Sequence, residues 1–178
     1  FNSGENNNAI LQGFTLQNGN GNDEDPDNNG SFYTYGGGIY CENSDPLIKD
    51  CIIQNNTANE GGGAGIFCYD SSPIFFGCTI KENETDDVGG GLYARDGSSP
   101  SFFYCIFMDN TAEFGGGCYL KSSSSPLMEN VVFMQNNANN SGGGIGLKDD
   151  ANIEASNLTI SENLAEGLGG GLYINNAD

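Results

Sequence analysis

The chain has 178 residues, enough for one ordinary domain. It carries 5 Lys and Arg against 24 Asp and Glu, a formal net charge of −19, with no His and no Trp. That balance excludes nucleic acid as a partner, because phosphate binding needs clustered cations, and it excludes docking on anionic membrane surfaces. Without His, the usual zinc sites and the Ser-His-Asp and Cys-His catalytic groups lack a component.

No apolar run approaches the ~18 residues of a spanning helix, so no segment is expected to insert in a membrane. Glycine stands at 28 residues, about twice ordinary usage.

In chain order, the first recognisable element is "ILQGFTLQNGN" from Ile10. Residues 20–35, with "GNDEDPDNNGSFYTY", interrupt it and read as a loop insertion. Asp23, Asp25 and Asp27 fall at alternate positions there, as in the first half of a calcium loop. Thr34 stands at the twelfth place, where Glu is expected, and Asn28 where Gly is expected. A solvated acidic loop is the plainer reading, and Ca²⁺ is the only cofactor suggested.

A repeat follows. "GGGIYC" begins at Gly36, "GAGIFC" at Gly63, "GGGLYA" at Gly89, "GGGCYL" at Gly115, "GGGIGL" at Gly142 and "GGGLYI" at Gly169. The starts lie 27, 26, 26, 27 and 27 residues apart. Between them runs a second element: "PLIKDCIIQNN", "PIFFGCTIKEN", "PSFFYCIFMDN", "PLMENVVFMQN" and a degenerate "IEASNLTISEN". Gly, Asn, Ser and Pro break helices, and the apolar residues are β-branched or aromatic with period 2.

Aligning the units gives inward columns: Ile39/Ile66/Leu92/Cys118/Ile145/Leu172, Cys41/Cys68/Ala94/Leu120/Leu147/Ile174, Ile48/Phe75/Phe102/Met128, Cys51/Cys78/Cys105/Val131/Leu158 and Ile53/Ile80/Phe107/Phe133/Ile160. Leu11, Phe14 and Leu16 extend the last three backward. A bend column of Gly13, Asp50, Gly77, Tyr104, Asn130 and Asn157 suits positive φ. Units of ~26 residues with short strands make a parallel β-helix, here of about six coils stacked ~4.8 Å apart.

The six cysteines fall in these columns and read as small buried hydrophobes, with a Cys41–Cys68 bridge left open. Asn56, Asn83, Asn110, Asn136 and Asn163 each follow the last inward residue by three, which predicts a stacked amide ladder. Glycosylation sequons occur at Asn29, Asn55, Asn83, Asn139 and Asn157.

Outward positions carry the candidate chemistry. Between the inward residues of the glycine-led strand stand Tyr40, Phe67, Tyr93, Tyr119, Gly146 and Tyr173. Two residues on, Arg95, Lys121 and Lys148 fall on consecutive coils. Rings beside cations suit a glycan or a cell-surface protein as ligand. Stacked tyrosines that only stabilise the sheet are the plainer alternative. Asp70, Arg95 and Asp96 are the residues a carbohydrate-active enzyme would use, but their carboxylates are few and sit at ordinary turn positions.

"FMDNTAEFGGGCYL" and "FMQNNANNSGGGIGL" resemble the repeat of the polymorphic outer membrane protein family: Phe-x-x-Asn, a short loop, then Gly-Gly-x-Ile. "GFTLQNGN" followed by "GGGIYCENSDPLIKDCIIQNNTA" resembles right-handed parallel β-helix repeats of large bacterial surface proteins. The likeness covers nearly the whole chain outside 20–35, although Gly-Gly-Gly stands where that family commonly has Gly-Gly-Ala. It implies a right-handed parallel β-helix in a passenger or stalk region, secreted or surface-attached and often adhesive.

The expectation is therefore a single all-β, non-catalytic module for adhesion or ligand binding, extracellular or on the cell surface. A carbohydrate-active enzyme and a filament subunit stacking end to end are the rivals. Because the chain stops inside a coil at "GGGLYINNAD", a piece of a longer protein, or ends covered by a partner, is expected.

Overall fold

Strands of two to five residues that alternate apolar and polar bury one face and pair along both edges. The computed structural model, which describes residues 1–26, 30 and 32–176, shows how this chain does both. In the four long sheets each strand pairs in parallel with the equivalent strand one repeat away, so the coils stack as a parallel β-helix. Each coil takes its name from the first glycine of its triplet.

Three six-stranded sheets run the length of the stack. The glycine-led sheet begins with Ile39–Glu42 and ends with Leu172–Asn175. The proline-led sheet runs from Ile10–Gln12 to Glu154–Ser156, and the third sheet from Thr15–Gln17 to Thr159–Ser161. A fourth sheet, of five strands from Thr57–Ala58 to Leu164–Ala165, follows the Asn turns. No helix among the described residues is long and apolar enough to cross a membrane.

The core lies between the sheets and is built from the five inward columns. Phe75 stacks on Phe102 at 4.8 Å and Phe107 on Phe133 at 4.6 Å, close to the strand spacing. Each such buried side chain contributes ~1.5–3 kcal/mol. All six cysteines are free and buried, so Cys41 and Cys68 are not bridged. Phe14 departs from the inward reading and is mostly exposed, because no described coil stacks on its outer side. At the other end Leu172 and Ile174 are open for the same reason.

The bend column takes positive φ throughout, including 50° at Asp50 and 56° at Tyr104. The corner that follows it holds the amide ladder. Asn83 Nδ2 donates to the Ile53 carbonyl at 3.0 Å and to Asn110 Oδ1 at 2.9 Å. Asn83 Oδ1 accepts from the backbone and side-chain nitrogens of Asn56 at 3.1 and 3.0 Å. The same pattern joins Asn110 to Asn136 and Asn136 to Asn163. The sequon at Asn83 is therefore closed in the folded chain, since its amide is buried and fully used.

A second ladder was not anticipated. Ser44, Ser71, Ser98 and Ser124 are buried two residues before each proline. Ser44 N donates to Ser71 Oγ at 3.1 Å and Ser71 N to Ser98 Oγ at 3.2 Å.

Residues 20–35 are more than a loop. Asn22–Glu24 pairs antiparallel with Tyr33–Tyr35, and Tyr33–Tyr35 pairs in parallel with Glu60–Gly62. The insertion is a hairpin docked on the side of the stack, and it brings Tyr35 onto the outer face of the glycine-led sheet.

Candidate functional site

That outer face carries the aromatic column in the expected register: Tyr40, Phe67, Tyr93, Tyr119, Gly146 and Tyr173 are successive partners. It is not, however, a row of open rings. Phe67, Tyr93 and Tyr119 are buried in a second apolar cluster. The cause is the residue before three of the triplets, Tyr35 before Gly36, Val88 before Gly89 and Phe114 before Gly115. Positive φ at the first glycine turns the chain sharply, and the preceding side chain folds over the sheet.

Tyr35 stacks on Phe67 with centroids 4.3 Å apart, Val88 bridges to Phe114, and the Phe114 ring lies 6.4 Å from Tyr119. Reading Phe67, Tyr93 and Tyr119 as exposed stacking platforms is thus corrected. Only Tyr40 and Tyr173 stay half-buried. The sequence columns did not include the roofing residues Tyr35, Val88 and Phe114, although each stands directly before a glycine triplet, because Gly62 and Ser141 hold the same place in other units.

The column breaks at Gly146, and in the same region Ser141 replaces a bulky roofing residue. Here a cavity of about 280 Å³ opens. Tyr93, Tyr119 and Tyr173 form its floor, with Asp87, Val88 and Phe114 as its roof. Lys121, Lys148 and Asn175 stand at its rim. The structure therefore brings Tyr93, Tyr119, Tyr173, Lys121 and Lys148 together and leaves Tyr40, Phe67 and Arg95 outside.

Electrostatics sort the polar groups. Lys121 Nζ lies 3.9 Å from Asp149 Oδ2, whereas Lys148 makes no ion pair with a described residue. Burial pushes the Asp87 carboxyl above its ordinary value of 3.8, with Lys121 opposing and Glu113 adding to the shift. Burial also pushes the Tyr119 hydroxyl up to about 12, and raises Tyr93 and Tyr40. These phenols stay neutral at physiological pH.

The enzyme-like set has other employment. Arg95 ion-pairs with Asp96 and lies over the Tyr69 ring at 5.4 Å. Asp70 and Asp96 sit at φ 44° and 56°, in the tight turn that ends each glycine-led strand. In the hairpin, Thr34 Oγ1 donates to Asp23 at 3.1 Å and the Gly30 N–H to Asp25 at 2.7 Å. Asp27 lies outside the described residues. Among the described residues no group of three or more Cys, Asp or Glu is placed to hold a metal ion.

A family model described as a right handed beta helix region matches residues 2–99 and 27–178, overlapping spans that take in nearly the whole chain. No curated protein and no solved structure matches it. The stacked parallel sheets and this match together show that the chain belongs to the right-handed β-helix family.

Proposed function

We propose that the chain is a non-catalytic display module, secreted or held at the cell surface, that binds one ring of a glycan in the cleft between Tyr119 and Tyr173. The observation that carries this reading is the break in the aromatic column at Gly146, which leaves a ring-lined cavity. Its volume is at the small end for ligand sites, the size of a single sugar ring. Neutral phenols, the Asn175 amide and the Lys148 ammonium are donors for sugar hydroxyls, and the Tyr173 ring offers an apolar face. A net charge of −19 disfavours long polyanions, so the ligand is neutral or only locally acidic.

The test is glycan-array binding by the parent, Tyr173→Ala and Lys148→Ala. Both variants are expected to lose the signal, while Lys81→Ala, on another face, keeps it. Binding that survives both cleft substitutions rejects the cleft. Release of reducing or unsaturated sugar by the parent would instead make the protein an enzyme.

A further inference from the structure

The outer face of the proline-led and third sheets is uncovered and apolar at its centre. Phe76 is 41% exposed and Tyr104 60%, and their rings meet edge to face at 5.5 Å. Ile52 and Ile106 lie exposed beside them. A contiguous apolar patch on an otherwise acidic protein marks a contact surface.

The order of residues along the columns says what it contacts. From the Gly36 coil to the Gly115 coil, one outward column reads Lys49, Phe76, Phe103, Glu129. The adjoining bend column reads Asp50, Gly77, Tyr104, Asn130. The first outward column of the third sheet reads Ile52, Thr79, Ile106, Val132.

A two-fold axis lying along the strands, between the Gly63 and Gly89 coils, reverses the coil order and keeps each column opposite itself. Lys49 then faces Glu129 of a second copy, Phe76 faces Phe103, and Ile52 faces Val132. Tyr104, the most exposed ring of the patch, faces Gly77, which has no side chain. Neither Lys49 nor Glu129 ion-pairs with a described residue of its own chain. With the axis along the rod instead, both charges would face Ile52 and Val132 and be buried unpaired, which is costly.

We infer that two copies of this chain pack face to face and antiparallel through these columns. The contact is isologous, so each charge pair forms twice. Four coils at ~4.8 Å and a path of roughly 25 Å across the two sheets give on the order of 500 Å² per copy. A standard interface buries ~800 Å² per partner. Two chains of charge −19 also repel. The dimer is therefore weak and concentration-dependent. This inference is independent of the glycan cleft, which lies on another sheet.

Sedimentation equilibrium on the whole chain tests it. The parent should fit a monomer–dimer equilibrium. Lys49→Glu and Glu129→Lys should each weaken it by about tenfold or more, because like charges then meet twice. Mixed in equal amounts, these two variants should associate again, since the mixed dimer regains both opposite-charge pairs. Far-UV circular dichroism checks that each is folded. If a charge variant does not fold, Tyr104→Lys, which puts a charge over Gly77, should also dissociate the parent dimer. A parent that stays monomeric up to its solubility limit overturns the inference. So does a mixture no more associated than its components, or growth beyond the dimer.

Discussion

The Tyr119 ring lies across Gly146. A Cβ at Gly146 would stand 2.8 Å from Cδ2 of that ring and 3.1 Å from Cε2. One coil's ring thus covers the place where the next coil's side chain stands elsewhere in the column, and the cleft beside Tyr173 is the space left over.

Gly146→Ala should therefore both destabilise the protein and narrow the cleft. The added methyl must displace a ring already hemmed in by Tyr93 and Phe114. Overpacking of this kind costs ~1–3 kcal/mol. At roughly 2–4 °C per kcal/mol for a chain of this size, the melting temperature should drop by several degrees. Calorimetry reads this, and an unchanged melting temperature would mean that the ring moves freely.

Asn110 sits in the middle of the amide ladder and makes four contacts through one side chain. It accepts from Asn83 N and Nδ2, and donates to the Ile80 carbonyl and to Asn136 Oδ1. Asn110→Leu leaves buried donors and a carbonyl without partners, each worth ~1–3 kcal/mol. A loss of about 3–5 kcal/mol in urea unfolding is expected. Asn163→Leu, half-buried in the last described rung, should cost clearly less. Equal losses at both positions would argue against the ladder as the cause.

The stack and its core were legible because a 26–27-residue period aligns every strand with its copy. Inward columns and the Asn ladder need only that alignment and period 2. The roof over the aromatic stripe needed more. Outward from one sheet does not mean exposed when a corner folds back, and that depends on φ at Gly36, Gly89 and Gly115. Tyr35 was harder still, since its place on Phe67 is set by hairpin pairing inside an acidic insertion. The cleft is half visible in the sequence: Gly146 is the one residue of the column without a side chain, but Asp87, Val88 and Phe114 belong to coils before it.

Asp87 predicts a pH dependence. Its folded pKa is raised above the ordinary 3.8, chiefly by burial. The folded state therefore holds the proton more tightly than the unfolded state, and stability falls as pH rises from that ordinary value through the folded pKa. Asp87→Asn removes the buried charge and should raise the melting temperature at pH 7. Below about pH 3.8 the parent carboxyl is protonated in both states, so the gain should vanish. A gain that persists at acid pH would point to packing rather than charge.

Tyr104 is the one aromatic residue in a bend column otherwise made of Gly, Asp and Asn, all at positive φ. A residue with a bulky Cβ substituent pays ~1–2 kcal/mol there, and Asn pays least among non-glycines. Against this stands the edge contact with Phe76 at 5.5 Å, which is largely exposed and so near the low end of ~0.5–1.5 kcal/mol. The backbone term is the larger, so Tyr104→Asn should stabilise the monomer by about 0.5 kcal/mol. Made in a Phe76→Ala background, where the ring contact is already gone, the same substitution should gain the full ~1 kcal/mol or more. Both are read from urea midpoints at concentrations where the chain is monomeric. Destabilisation in the Phe76→Ala background would show that the tyrosine side chain is held by something other than Phe76.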